Sequence, residues 1–298
     1  MTVSLQLASL LRRYGTFLGF LLIVSFFWSQ RPDTFMTTRN WLNITQQVSI
    51  LCVISLTMTL VMVGGDFDLS VGSMASLSGM IAAVLWQQEV SLFGALGAAV
   101  IVGGFGGVFN GVLVAYAGLS AFVATLGTLT IFSGLALLVS DGKTIFGRAI
   151  PEIVGDFSRG GISLTEGIQL PNLTLIAVSV LIFMGIVLQN TVFGRNLHAV
   201  GGNREASLLA GVPVARLRLI AFAVNGVGAA IAGLMLVSRL SSANPTQGDG
   251  LMLNAIASVF VGMTMSEEGE PNLFGTLTGV LILGVLSNGL TQLRIDTY

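Results

Sequence analysis

The feature that most restricts the fold is a series of apolar segments, each close to the length that crosses a lipid bilayer. A transmembrane helix needs about 20 mainly apolar residues. Nine segments of this kind occur, at approximately 15–30, 44–64, 69–87, 91–115, 119–140, 172–190, 217–238, 251–265 and 272–291. The third and eighth are the weakest, being short or rich in Gly, Ser and Asn. The sequence predicts an all-α, polytopic helical membrane protein with nine transmembrane helices in one domain, residues 1–298.

Charged residues are too scarce for a soluble protein. Hydrophobic residues make up 53% of the chain and charged residues only 9%, whereas soluble domains carry roughly a quarter charged residues. The formal net charge is -1, from 13 Lys and Arg and 14 Asp and Glu, which gives no indication of a nucleic-acid partner. The expected surroundings are a lipid bilayer.

The placement of basic residues predicts the orientation, because cytoplasmic loops hold the excess of Lys and Arg. Arg12 and Arg13 place the N-terminus in the cytoplasm. Six crossings later, the segment at about 190–218 carries four arginines against the single Glu205, so it is predicted to be cytoplasmic. The segment at about 141–171 has balanced charges and is predicted to be external. Nine crossings leave the C-terminus outside. A permease more usually has an even number of spans and both ends inside, so we expect a tenth helix beyond this sequence.

Two carboxylates, Asp66 and Asp68, lie within GGDFDLSVGS, at the junction of the second and third spans. An ionised carboxylate costs several kcal/mol at the bilayer centre, so both are expected at an interface or in a watery cavity. Asp68 precedes Leu69 and Ser70 and suits an N-cap of the third helix. The alternative is a gate or a place on a translocation pathway.

Four asparagines fall inside the predicted spans, namely Asn110, Asn225, Asn254 and Asn288. Such amides most often donate hydrogen bonds to neighbouring helices. The alternative is a polar pathway that presents donors and acceptors to a neutral, hydroxyl-rich solute. Both interpretations stay open for each residue.

The chain carries little that supports catalysis or a cofactor. Glycines at 103, 107 and 111 form a small-xxx-small pattern for close helix contact, but the GxGxxG fingerprint fails at Phe109 and no Walker A sequence exists. Any ATP is therefore expected to bind to another protein. His198 and Cys52 are each the only residue of their type, which makes a metal site or a membrane-embedded Ser-His dyad improbable.

A short helix is predicted in the basic segment, from Arg204 to Ala210. Asn203 is a suitable N-cap, and Gly211 and Pro213 end the helix. Such a helix is too short to cross a bilayer. It is either a connector between bundles or a docking element for a partner, and docking is favoured because isolated helices of this length need packing to persist.

In these residues and motifs, the chain resembles the permease subunits of bacterial ABC sugar importers of the ribose, arabinose, xylose and galactoside branch. The resemblance extends from about Trp41 to the C-terminus. It includes GGDFDLSVGS, NGVLVAYAGLSAFVATLGTLTIFSGLALLVSDGK, GRNLHAVGGNREASLLAGVPV and FGTLTGVLILGVLSNGL. Members of this family usually have ten spans, in agreement with the tenth helix expected from parity.

The resemblance implies a site that couples the chain to an ATPase. Glu205, Ala206 and Gly211 match the family's Glu-Ala-Ala and Gly element, with Ser207 in place of the second Ala; Arg204 precedes it. The implied partners are a cytoplasmic ATP-binding subunit that holds ATP and Mg, a periplasmic sugar-binding protein and a second permease copy or homologue. The implied location is the bacterial inner membrane.

The sequence is interpreted as a permease subunit for a neutral monosaccharide, a pentose or related aldose, without an ATPase site of its own. A secondary transporter would use ionisable residues or broken helices near the midplane, whereas Asp66 and Asp68 lie at one edge. A passive channel does not need the basic segment. For a membrane enzyme, no nucleophile, base and orienting group can be assembled from the sequence.

Overall fold

The computed structural model describes residues 2–165, 168–266 and 268–295. Within these ranges the chain is mainly helical. The helices are α1 (Thr2–Gln30), α2 (Thr38–Val63), α3 (Val71–Gln87), α4 (Leu92–Ala115), α5 (Ala121–Val139), α6 (Glu152–Arg159), α7 (Asn172–Asn190), α8 (Val192–Gly202), α9 (Arg204–Leu209), α10 (Val214–Leu240), α11 (Leu251–Met263) and α12 (Leu273–Gln292). The strands are β1 (Ile145–Phe146), β2 (Gly161–Thr165), β3 (Ile168–Pro171) and β4 (Ser242–Ala243).

The all-α, polytopic class is confirmed, but the count of nine transmembrane helices is not. In the described ranges, six helices are long and apolar enough to cross a membrane: α2, α4, α5, α7, α10 and α12. The other three predicted positions hold shorter apolar helices, Gly15–Gln30, Val71–Gln87 and Leu251–Met263. The difference arises because helices of 17 and 13 residues, α3 and α11, fall short of the roughly 20 that span the hydrocarbon.

Several helices begin at side-chain caps that the local sequence supplies. Thr37 accepts a hydrogen bond from the backbone N–H of Asn40 at the start of α2. Ser91 and Asn272 accept in the same way at the starts of α4 and α12. Each cap satisfies a backbone donor that the first turn of a helix leaves without a partner.

The centre of the bundle is formed by α2, α3 and α10. Helix α10 packs against α2, α3 and α4, while α12 packs against α2 and α11. Most of α2 and α3 is buried, whereas α4, α5 and α7 expose most of their apolar side chains. Exposed apolar surface on spanning helices faces lipid in a membrane, so the bundle has a protein-buried centre and a lipid-facing periphery.

Close contact between α4 and α10 follows from the glycine pattern in α4. A Cβ at Gly107 would overlap the carbonyl oxygen of Phe222, and one at Gly226 would overlap the carbonyl oxygen of Gly103. Gly111 meets the backbone of Leu219 in the same interface. The predicted small-xxx-small contact is confirmed, with α10 as its partner.

The two ends of the bundle carry different connecting elements. At one end β1 pairs with β4, and the β2–β3 hairpin leads into α7. The predicted external segment, about 141–171, lies at this end. At the other end α7 is followed by α8 and α9, within the predicted cytoplasmic segment at about 190–218. The structure thus separates the two segments across the length of α7.

Candidate functional site

Helix α9 is defined at both ends by local hydrogen bonds. The side chain of Asn203 accepts from the backbone N–H of Ala206 at 2.9 Å. At the other end the N–H of Gly211 donates to the Leu208 carbonyl and that of Val212 donates to the Ser207 carbonyl, each at 3.0 Å. This pair of bonds is a Schellman motif, which requires the left-handed backbone found at Gly211, φ +80°. The predicted start cap and the stop at Gly211 are both confirmed.

The outer face of α9 is apolar and exposed. Leu209 is 90% exposed, and Leu208 beside it is also exposed. Glu205 and Ala206 are exposed, whereas Ser207 is buried against the bundle. Two adjacent exposed leucines on a capped helix outside the spanning segments form a small hydrophobic surface that another protein can cover.

Asp66 is a buried carboxylate held by two arginines from distant parts of the chain. Arg218 donates from Nε to Oδ2 at 2.6 Å and from Nη2 to Oδ1 at 2.7 Å. Arg204 of α9 donates to Oδ1 at 3.2 Å. The Arg218 contact is a two-bond fork, the stronger geometry for an arginine and a carboxylate. Arg218 also donates to the carbonyl of Val114, near the end of α4.

Asp68 lies in a second polar cluster on the same connection between α2 and α3. Its Oδ1 accepts from the backbone N–H of Ser70 at 2.9 Å and from the Ser70 hydroxyl at 2.6 Å. Asn225 of α10 donates to Oδ2 at 3.0 Å, and Asn110 of α4 donates to Oδ1 at 3.4 Å. The cluster joins three elements of the bundle, and all four residues are buried.

The prediction that Asp68 caps α3 holds in part. The N-cap position of α3 is Ser70, two residues later, but the Asp68 carboxylate accepts the backbone N–H bond of Ser70 just before the helix begins. A buried carboxylate needs several donors, and interhelical amides satisfy that need here alongside Ser70. Asn110 and Asn225 therefore donate from α4 and α10 to the connection between α2 and α3, which is close to the interhelical bonding that was one of their two predicted roles.

The other two amides lie away from this cluster. Asn254 is exposed on α11. Asn288 is buried on α12, and its Oδ1 accepts from Gln292 at 3.0 Å. Of the six residues predicted for a pathway or gate, the structure joins Asp68, Asn110 and Asn225 in one cluster, and Asp66 lies in the neighbouring cluster with two arginines. A pathway role for any of the six stays a prediction.

A large open groove on the side of the bundle has a different chemistry. It has a volume of about 1030 Å³ and lies between α4, α7 and α10, where Phe105, Val180 and Val227 are among its lining residues. A monosaccharide needs hydrogen-bond partners for its hydroxyls, which this largely apolar lining scarcely supplies. This space suits lipid rather than sugar.

The pairing of Asp66 with Arg204 and Arg218 was missed at the sequence level. Asp66 was placed in a possible gate, and Arg204 in the element that couples to an ATPase, with no contact between them. One signal was available: a carboxylate at a span junction needs a cation, and the nearest arginines by topology were those of the segment at about 190–218. The contact also places the α2–α3 connection and α9 at the same end of the bundle.

Membrane-spanning apolar helices, a buried charged cluster and an exposed capped helix at one end define a multi-pass membrane protein. Residues 40–297 match the family described as branched-chain amino acid transport system / permease component. The chain belongs to this family.

Relatives cover nearly the whole chain. The ribose import permease protein of Haemophilus influenzae is 35% identical over 100% of this chain and 91% of its own length. The D-allose transport system permease protein of Escherichia coli is 36% identical over 96% and 86%. The L-arabinose ABC transporter permease protein of Azospirillum brasilense is 35% identical over 97% and 83%. The chain is a permease subunit of an ABC-type importer, in which separate subunits hydrolyse ATP and bind the substrate.

Proposed function

We propose that this chain is the transmembrane subunit of an ATP-driven importer that carries a neutral monosaccharide, a pentose or related aldose, inward across the bacterial inner membrane. The N-terminus and α9 lie on the cytoplasmic side. ATP and Mg bind to the partner ATPase, and this chain itself needs no cofactor. A periplasmic sugar-binding protein docks on the opposite side, and a second permease copy or homologue completes the pathway.

The observation that carries the proposal is the outer face of α9. A six-residue helix, capped at both ends, displays Leu209 with 90% of its surface exposed. Together with Leu208 beside it, Leu209 forms an exposed apolar surface outside the spans that a partner can cover. The choice of sugar is supported by the relatives, which are named for ribose, allose and arabinose.

The mechanism is built on the placement of α9. Closure of the ATPase on binding ATP displaces α9, and the spans then reorient. Partners drive this change only through their different affinities for the two states. Sugar-loaded binding protein favours one state from outside, and ATP hydrolysis resets the cycle.

Two substitutions test the role of the coupling element. Glu205→Arg reverses the charge of an exposed residue in the first turn of α9, where an acidic side chain complements the helix dipole. Gly211→Pro is incompatible with φ +80°, because proline fixes φ near -65°. Both variants should insert normally but lose uptake. Normal uptake by correctly inserted variants would remove the coupling role from α9.

The substrate is tested by uptake in proteoliposomes that contain the permease, its ATPase and its binding protein, with a panel of labelled pentoses and hexoses. ATP-dependent uptake of one sugar that requires both partners is the expected result. An ion-coupled secondary transporter or a passive sugar channel is the alternative. Uptake by the permease alone would favour one of these two alternatives. If that uptake stops when the ion gradient is collapsed, the chain is a secondary transporter; if it continues, the chain is a passive channel.

A further inference from the structure

The last residue of α2 and the connection that follows it, residues 64–70, contact the α8–α9 segment at three points. A Cβ at Gly201 of α8 would overlap the carbonyl oxygen of Val63, so the two backbones touch there. The side chain of Leu197 packs on Gly64. Arg204 of α9 donates to Asp66 at 3.2 Å. Movement of the α8–α9 segment therefore meets this connection directly.

The same connection is joined to two spanning helices. The guanidinium of Arg218 holds Asp66 to the start of α10 and, through the Val114 carbonyl, to the end of α4. Asp68 bonds to amides further along the same two helices. Residues 64–70 thus form a link between α9 on one side and α4 and α10 on the other.

The two arginines on Asp66 differ in a way that assigns them different roles. The side chain of Arg218 is 10% exposed and makes a two-bond fork, while that of Arg204 is 43% exposed and makes one contact with the carboxylate. Separating the half-exposed Arg204 exchanges its bond to Asp66 and a 3.5 Å bond to the Gly64 carbonyl for bonds to water. Separating Arg218 would leave its own buried guanidinium without a carboxylate and would leave Asp66 with the Arg204 contact alone. The contact that can open and close is that of Arg204.

We propose that Asp66 is a positioning residue through which displacement of α9 reaches α4 and α10, with Arg204 as the reversible contact and Arg218 as the permanent one. This inference rests on the proposed function, since it concerns how ATP hydrolysis by a partner is linked to movement of the spans. It predicts that weakening the Arg204 contact uncouples hydrolysis from transport without unfolding the permease.

The test compares Arg204→Ala, Arg204→Lys and Arg216→Ala in proteoliposomes with the ATPase and binding protein, measuring sugar uptake and ATP hydrolysis in the same vesicles. Arg204→Ala should lower the sugar transported per ATP about tenfold. Arg204→Lys keeps the charge and should recover at least half of the wild-type ratio. Arg216→Ala removes an exposed arginine of α10 that makes no described bond to Asp66, and should keep the wild-type ratio.

Assembly is measured in parallel by size-exclusion chromatography of the permease with its ATPase. Retained assembly together with a lowered ratio supports the proposal. A wild-type ratio in Arg204→Ala overturns it, and so does loss of the ATPase from that variant, which would make Arg204 a docking residue. Failure of the proposed function gives a different result, namely that the wild-type complex shows no ATP-dependent uptake of any sugar.

Discussion

The pair formed by Arg218 and Asp66 permits a quantitative prediction about stability. Substitution of Arg218 by Ala removes both bonds of the fork and the bond to the Val114 carbonyl. The carboxylate of Asp66, only 6% exposed, then retains the single 3.2 Å contact from Arg204. A buried charge is left with one half-exposed partner.

The expected cost follows from these contacts. Removing one partner of a buried ion pair costs about 3–5 kcal/mol. Because Arg204 is 43% exposed, its remaining contact recovers no more than about 1 kcal/mol. We expect a loss of about 3 kcal/mol, equivalent to roughly two orders of magnitude in the unfolding equilibrium. At about 2–4 °C per kcal/mol, the midpoint of thermal unfolding falls by about 6 to 12 °C.

The chain contains its own reporter for this measurement. Cys52 is the single cysteine and is buried within α2. A thiol-reactive fluorescent dye therefore labels the detergent-solubilised protein only when the centre of the bundle opens. The midpoint of labelling against temperature is compared between the wild type and Arg218→Ala.

Two further variants make the result specific. Arg216→Ala removes an exposed arginine from the same helix and should melt within about 2 °C of the wild type. Asp66→Leu combined with Arg218→Met removes the pair as a whole and should recover at least half of the loss, because no uncompensated charge stays buried. If Arg218→Ala melts within 2 °C of the wild type, the reasoning about this buried pair is refuted.

Three other outcomes can be checked with simpler measurements. Gly107→Leu should abolish the monodisperse peak in size-exclusion chromatography, since its side chain would meet the α10 backbone. Gly97→Leu, which faces open space, should preserve the peak. Equal peaks from the two variants would contradict the packing argument. Leu209→Asp should weaken binding of the ATPase subunit at least tenfold in a titration without lowering the Cys52 melting midpoint, and unchanged affinity would argue against docking through α9. Asn225→Leu removes a donor from Asp68 and should cost about 2 kcal/mol in the same melting assay, with an unchanged midpoint as the contrary result.

The elements that sequence reasoning placed well depend on neighbouring residues. The start of α9 at Arg204 and its stop at Gly211 follow from caps within a few positions, and the structure has both. The glycines of α4 recur every four residues, so they share one helix face whatever they contact. Their partner, α10, was not predicted, because no local pattern states which helix a face will meet.

The elements that sequence reasoning missed depend on long-range contacts. The carboxylate of Asp68 accepts the backbone N–H bond of Ser70, but it also lies among amides more than 40 and 150 residues away in the chain, which no local pattern indicates. The count of nine spanning helices is not confirmed, because apolar content predicts burial but not whether lipid or protein provides it. Helix α3 is apolar and mostly buried by other helices, so its 17 residues need not match the thickness of a bilayer.

Composition and the spacing of apolar segments were sufficient to establish a helical membrane protein, because the bilayer imposes one length and one polarity on every span. Motifs of adjacent residues were sufficient to indicate the permease family. The joining of Asp66 to Arg204 and Arg218 required the folded bundle, since it depends on α4 and α10 packing at glycine contacts and on α9 lying at the same end as the α2–α3 connection. Asp66 and its two arginines are more than 130 residues apart in the chain, so they become partners only when packing brings them together. The exposure of each arginine then distinguishes the reversible contact of Arg204 from the permanent contact of Arg218.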